Sequence, residues 1–190
     1  MSTLRILTIP GALRKASHNR KLLKIAERYL EAAGVEIDRL DLCDYPLPPY
    51  DGDIEEGPGL PQNAWTIKAR IAAAHGVIIA CPEYNYGVPG TFKNVLDWSA
   101  RGGSNPWIGK VVGMMGASSG PIGTWRMMPQ LRASLSGLQA FVIPQQVNVR
   151  ESAKVWNAEG ELLDDKLPPL VEKFVAAFVQ TVELMKGPSA

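Results

Sequence analysis

Two rhythms of hydrophobic and polar positions alternate along the chain: short apolar runs of strand length, and longer stretches with apolar residues at helical spacing. Leu4 to Ile9 is the first apolar run, and Pro10-Gly11 interrupts it. Beyond the loop ALRKASHN, the residues Leu22, Leu23, Ile25, Ala26, Tyr29, Leu30 and Ala33 predict a helix that Gly34 stops at its C-cap. Val35 to Leu42 alternates apolar with charged residues, which predicts a second strand exposed on one side, near a sheet edge. Asn63 to Ala74 returns to helical spacing. Val77 to Cys81 is then an unbroken apolar run, the pattern of a parallel strand buried on both faces, and Pro82 ends it. From Thr91, a suitable N-cap, Phe92, Val95, Leu96 and Trp98 predict another helix. Lys110 to Ala117 reads as a fourth strand, Gly123 to Leu135 as a helix, and Phe141 to Val149 as a last strand with Pro144 as a point of interruption. Asp164 to Met185 closes the chain as a helix with Pro168-Pro169 in its first turn.

Five strands alternating with helices predict an α/β fold, a doubly wound five-stranded parallel sheet with helices on both faces and right-handed crossovers. Neither an internal repeat nor a linker interrupts the pattern, so residues 1–190 read as a single domain. Residues 43–62 escape the two rhythms. They are rich in proline and glycine, and their Tyr45, Leu47 and Tyr50 predict an ordered binding or contact loop that could anchor a second subunit.

Composition narrows the partners. Twenty basic against nineteen acidic residues give a net charge of +1, which argues against a nucleic-acid surface, a polybasic membrane anchor and a strongly acidic docking face. The amino terminus lacks a long apolar core and no run reaches membrane-spanning length, so a soluble cytoplasmic protein is expected. Cys43 and Cys81 have no second cysteine near them and read as free, partly buried thiols. His18 and His75 lack metal-ligand spacing, so no metal site is expected, and His75 reads as a helix C-terminal cap. Met127 and Met128 read as packing groups that could also serve a subunit contact, while Trp125 stands out among the tryptophans because it follows a loop rich in glycine and serine.

Candidate chemistry gathers in three loops at the carboxyl ends of strands one, three and four, where open α/β sheets bind ligands. In the first, Ser17 and Asn19 offer hydroxyl and amide donors beside helix N–H groups, and Arg14 and Lys15 add charge. That set suits a phosphate monoester, although it lacks both the G-x-G-x-x-G and the G-x-x-x-x-G-K-[ST] fingerprints. The second, Glu83 to Gly90, mixes turn formers with the rings of Tyr84 and Tyr86, and the third is Ser118-Ser119-Gly120-Pro121. A phosphate at one end and a planar ring at the other describe a site for flavin mononucleotide (FMN).

These residues also carry a family resemblance. Pro82 to Arg101, PEYNYGVPGTFKNVLDWSAR, resembles the signature of the NAD(P)H-dependent FMN reductases, a flavodoxin-fold group that includes chromate, azo-dye and quinone reductases. Gly11 to Leu22, GALRKASHNRKL, resembles that family's phosphate loop, and Gly116 to Arg132, GASSGPIGTWRMMPQLR, resembles its third segment. Ala12 and Ala16 depart from it, standing where serine and glycine are common. The resemblance implies a flavodoxin-like fold, with Arg14, Ser17, His18 and Asn19 around the phosphate and Lys15 beside them. It implies Pro82, Glu83, Tyr84, Asn85, Tyr86 and Gly87 along the flavin edge, and Ser118 with Gly120 closing the other side. It further implies FMN as cofactor and NADPH or NADH as co-substrate. Quinones, azo compounds, chromate, ferric species or free flavin would be acceptors in a ping-pong reaction, within a homodimer or tetramer. No protein residue need be catalytic, because the cofactor carries the chemistry. Glu83 also admits a plainer role, bonding neighbouring backbone. Two other readings stay open: an electron carrier docking on redox partners, against which the balanced charge speaks, and a domain used only for protein contacts.

Overall fold

The computed structural model describes residues 3–157 and 159–186. Five parallel strands, β1 Arg5–Pro10, β2 Glu36–Arg39, β3 Gly76–Ala80, β4 Val111–Ala117 and β5 Phe141–Val149, lie in the order β2-β1-β3-β4-β5. This is the flavodoxin-like order, with the chain turning to opposite sides of the sheet between β1 and β3. Alternation along the strands sorts the core into two layers. Ile6, Ile78, Ala80 and Met115 face α1 (His18–Ala32) and the closing helix, α6 (Leu167–Lys186). Leu7, Ile9, Val77, Ile79 and Met114 face the other three long helices, α3 (Gln62–Ala73), α4 (Gly90–Ser99) and α5 (Met127–Gly137). The central strands β3 and β4 are buried along their whole length, which accounts for their unbroken apolar runs.

Several expected boundaries move for identifiable reasons. The edge strand β2 is only four residues long, because Asp41 caps a 3-10 turn over Leu42–Asp44. Segment 43–62 is ordered, as expected, and contains a short helix, α2 (Gly52–Glu56), but its aromatic rings turn inward. Tyr50 packs edge-on against Trp98, 5.0 Å between centroids, and Tyr45 lies under the Arg70 guanidinium at 5.4 Å. Asn94 and Trp98 both donate to the Pro48 carbonyl at 2.8 Å. This loop therefore clasps α3 and α4 of its own chain, and Tyr45 and Tyr50 are not the exposed subunit anchors expected of them.

Helix α4 begins at Gly90 after Pro89, so Thr91 lies in its first turn and is not the N-cap. Helix α5 begins at Met127 instead of Gly123, since Gly123 adopts a φ of +70° and a Cβ there would stand 2.1 Å from Asn148 Oδ1. The neighbouring Thr124 N–H donates to that same oxygen at 2.7 Å. Met127 and Met128 are fully buried against the sheet and offer nothing to a subunit contact. Strand β5 runs through Pro144: exposed on this edge strand, the proline sits at a register shift where Val112 pairs with Val142 but Met114 with Gln146. His75 does not cap a helix; its Nδ1 accepts the Arg5 backbone N–H at 2.9 Å. Cys43 is exposed, and Cys81 is fully buried, so that burial pushes its thiol pKa up. Among the described residues no helix is long and apolar enough to cross a membrane.

Close approach of α6 to the sheet rests on Gly113, where an added Cβ would meet Phe174 Cζ at 2.7 Å and Phe178 Cδ2 at 3.1 Å. Gly113→Ala should therefore cost about 1–3 kcal/mol of stability through overpacking. Urea unfolding should show a lower midpoint with an unchanged slope, and a second change, Phe174→Leu, should recover part of the loss.

Candidate functional site

Where parallel strands end, their backbone groups lose ladder partners, and side chains take over. At the end of β1, Gly11 N–H still donates to the Ala80 carbonyl at 2.8 Å, and Cys81 N–H donates to the Met115 carbonyl at 2.9 Å. Past these last bonds the chain opens into loops. Ser17 is the N-cap of α1, and its Oγ accepts the Asn19 N–H at 3.2 Å. Its own O–H is left to donate. Asn19 lies in the first turn of α1 and is 3 % exposed. Its Nδ2 donates to the Ala117 carbonyl at 2.9 Å and its Oδ1 accepts the Ala117 N–H at 2.8 Å. Both amide atoms are thus committed to the end of β4, and what Asn19 offers a ligand is placement of the helix N-terminus. Arg20 fastens the loop from behind, pairing with Asp41, holding its carboxyl down to about 2, and donating to the Arg14 carbonyl at 3.2 Å.

After β3, Tyr84 and Gly87 exchange backbone hydrogen bonds at 3.1 and 3.0 Å around a two-residue turn. Asn85 and Tyr86 form that turn at φ +47° and +66°. Glu83 turns away from solvent: its Oε2 accepts the backbone N–H groups of Arg126 and Met127, both at 3.0 Å, so it caps the N-terminus of α5. Arg126 in turn lies over the Tyr86 ring at 4.3 Å, and Gln130 donates to the Tyr86 carbonyl at 2.7 Å. Of the two readings of Glu83, the bonding of backbone is the one the geometry displays.

The three loops meet around a cavity of about 320 Å³ at the β1/β3 switch point. Arg14, Ser17, His18, Asn19, Pro82, Glu83, Tyr84 and Ser118 line it. Lys15, Asn85, Tyr86, Gly87 and Gly120 stand outside this lining, and Trp125 is an exposed ring of the β4–α5 loop. Ala16 and Ser119 also line the cavity, and Ala117 and Ser152 do so without having been singled out from sequence. Ser152 follows β5 in a 3-10 turn over Ser152–Lys154, donates its backbone N–H to the Ser118 carbonyl at 3.0 Å, and lies 2.7 Å from His18 Nδ1 through its hydroxyl. It belongs to the same sheet edge as the three loops, so extending the strand-end argument to β5 would have reached it. Burial, and then the charges of Lys21 and Arg14, lower the His18 pKa and favour the neutral ring.

Residues 4–154 match the NADPH-dependent FMN reductase family. The chain belongs to that family. It is 32% identical over 185 residues to an NAD(P)H-dependent FMN reductase of Pseudomonas aeruginosa, covering 97% of this chain and 98% of the relative. It is 35% identical over 190 residues to a quinone reductase of Escherichia coli, covering 96% and 97%. Among solved structures it resembles FerB, a flavoenzyme NAD(P)H:(acceptor) oxidoreductase from Paracoccus denitrificans, with a TM-score of 0.82, 29% identity, and coverage of 96% and 98%. FMN, with NAD(P)H as co-substrate, is the cofactor that family membership carries. The cavity suits it chemically: an arginine, four serines and a helix N-terminus share its lining with Pro82 and the Tyr84 ring. A larger groove, about 800 Å³, runs along the outer side of α1, and its Arg39 pairs with Glu27 and Glu31 of the same groove.

Asn19→Ala removes both partners of the buried Ala117 peptide groups. Each orphaned group costs about 1–3 kcal/mol, so the variant should lose about 2–6 kcal/mol of stability. The check is chemical unfolding of the flavin-free protein, in which no cofactor contact contributes.

Proposed function

We propose that this protein is an FMN-dependent oxidoreductase that uses NADH or NADPH to reduce quinones and related small oxidants, with azo compounds, chromate or ferric species as further candidates. One observation carries the reading: the N-terminus of α1 with Ser17 and Arg14 shares a single cavity with Pro82, Glu83 and Tyr84 of the β3 loop. The name of the Escherichia coli relative, quinone reductase, supports the acceptor class. When bound, FMN supplies the redox chemistry, accepting hydride from the nicotinamide and delivering two electrons to the acceptor.

In this reading the chain binds and orients. Arg14, Ser17 and the α1 N–H groups hold the phosphate, with Lys15 contributing charge from outside the lining and His18 bordering it. Asn19 sets the position of that helix. Pro82 to Gly87 follow the ring edge, and Ser118 with Gly120 closes the opposite side. Glu83 serves by fixing the loop against α5, and no side chain is assigned an acid or base role. Tyr84, Tyr86 and Trp125, all more than half exposed, leave the mouth of the cavity unroofed. Nicotinamide and oxidant would then enter by the same opening in turn, which predicts a ping-pong reaction with parallel initial-rate plots. This aromatic rim, not the 43–62 loop, is the surface we assign to a homodimer or dimer-based tetramer contact.

An anaerobic absorbance titration tests the reading. Purified protein should carry or take up FMN, bleach on addition of NAD(P)H and recover its colour with a quinone. A protein that stays colourless with added FMN, or that releases mainly FAD, would overturn it, and a flavin that free nicotinamide leaves oxidised would favour an electron carrier. At the phosphate end, a charge-assisted hydrogen bond contributes about 1.5–3 kcal/mol. Arg14→Ala should accordingly weaken FMN about ten- to a hundred-fold in fluorescence-quenching titrations and leave the weak binding of riboflavin almost unchanged.

A further inference from the structure

We propose that His18, oriented by Ser152 and Trp156, takes up one proton when a phosphate monoester binds, and that this conditional charge helps the site select FMN over riboflavin. The inference rests on the FMN reading above. It concerns a pair of residues, one of which sequence patterning does not single out.

The geometry comes first. His18 is the first residue of α1 and lines the same cavity as Arg14, Ser17, Ser118 and Ser119. Its ring is held on an edge and on a face. Nδ1 lies 2.7 Å from Ser152 Oγ, and the ring stacks on Trp156 with centroids 5.1 Å apart and planes at 27°. Ser152 is itself 1 % exposed and tied through its backbone to Ser118, so the partner is rigid. A hydroxyl is also an unusual partner in that it serves either protonation state. With the neutral ring, either Ser152 O–H donates to Nδ1 or Nδ1–H donates to Ser152 Oγ, according to the tautomer. After proton uptake, Nδ1–H donates to Ser152 Oγ, whose hydrogen rotates to another acceptor. The hydrogen bond survives in both states, so the ring gains a charge without losing its place.

The electrostatics supply the condition. Around the ring stand Lys21 on its own helix and Arg14 on the preceding loop, both of which oppose a third positive charge. Lys15 and Arg150, exposed at the ends of the two neighbouring walls, add to the same sign. Carboxylates from the packed elements are committed elsewhere. Glu151 pairs with Lys154 at 2.5 Å, Glu83 caps α5, and Glu161 accepts from Asn157 at 2.8 Å, while Glu159 is solvent-exposed. Ser152 and Trp156, the ring's direct contacts, do not titrate in this range. What the free site lacks is therefore an anion, and a phosphate dianion beside Arg14 and Ser17 supplies one. It raises the His18 pKa, because an opposite charge within a few ångströms favours the protonated form.

The sign follows from linkage. Burial and the neighbouring charges hold the free ring below the ordinary histidine range and the phosphate raises it, so between the free and bound values binding takes up a proton. Within that window FMN affinity rises as pH falls, by up to about tenfold per pH unit for one proton. Above the window the coupling vanishes. Below about pH 6 the phosphate's own second protonation works against it. Riboflavin has no phosphate and should show no such slope.

Proton NMR on the full chain tests this directly, because the chain has two histidines and His75, bonded to the Arg5 backbone, is an internal control. The His18 resonance should titrate below 6.5 in the free protein, move up by about one unit or more with FMN, and stay put with riboflavin. Ser152→Ala should reduce the FMN-induced rise. In parallel, the FMN dissociation constant measured from pH 8.5 to 6.5 at fixed ionic strength should fall about three- to tenfold for the parent and stay flat for His18→Asn. FMN bound in an Arg14-dependent manner while His18 keeps its free titration, or equal slopes in the parent and His18→Asn, would overturn the inference and leave the cofactor reading standing. FMN and riboflavin bound equally, or neither bound at any pH, would overturn both.

Discussion

Backbone groups that run out of partners where the buried parallel strands β1, β3 and β4 stop are the constraint on which the rest of this structure depends. The last N–H and C=O groups of a sheet covered on both faces need partners where the ladder ends. The chain answers with a small set of polar side chains that stand in for the missing ladder. Asn19 pairs with both peptide groups of Ala117, and Asn148 accepts from Thr124 and donates to the Ile122 carbonyl at 3.0 Å. Glu83 takes the first N–H groups of α5, and Asp41 takes the Cys43 N–H at 3.0 Å. Each substitution joins one strand end to a different element. The cavity is the space left between these joints, so its walls are positioned by the sheet register and by α1.

That arrangement also decides the charge of the site. Glu83, the acidic side chain that lines the cavity, is occupied by the α5 backbone and by Arg126. The groups left with unused hydrogen-bonding capacity toward the cavity are donors: the Arg14 guanidinium, serine hydroxyls and the start of a fifteen-residue helix. An anion is the complement of such a set. A balanced overall charge of +1 does not reveal this, because the asymmetry arises from which charges are already paired and not from how many there are.

Much of the fold was legible from periodicity, since β3 and β4 are buried on both faces and their sequences can show nothing but apolar residues. The loops after β1 and β3 were legible because turn formers stood directly after those runs. What patterning missed, it missed for local reasons. Gly123 carries no sign that its φ is positive, so the helix was read four residues too early. Tyr45 and Tyr50 looked like outward anchors because their partners, Arg70, Asn94 and Trp98, lie far along the chain. Asn19 was legible as a site residue but not in its structural role, since its partner Ala117 is 98 residues away. Ser152 had no periodic context at all.

The β3 turn shows how these joints bear on specificity. Holding Asn85 and Tyr86 in the left-handed region costs about 1–3 kcal/mol per residue, more readily met by asparagine than by tyrosine. A strained turn of this kind persists only if its surroundings over-determine it. Here Gln130 bonds the Tyr86 carbonyl, Arg126 stacks on the Tyr86 ring, and the Tyr84–Gly87 bridge closes the base. All of these contacts except the bridge come from α5 and its N-cap Arg126, whose backbone N–H groups Glu83 fixes at the head of the same turn. Turn and helix thus hold each other, and a change at Glu83 would release both at once. The rim of the cavity is consequently set by α5 and the wall around Ser17 and Asn19 by α1, two helices on opposite faces of the sheet. Because the strands between them are locked in register, the span between the two ends is a property of the sheet, which suits a ligand of fixed length with an anionic end and a flat end.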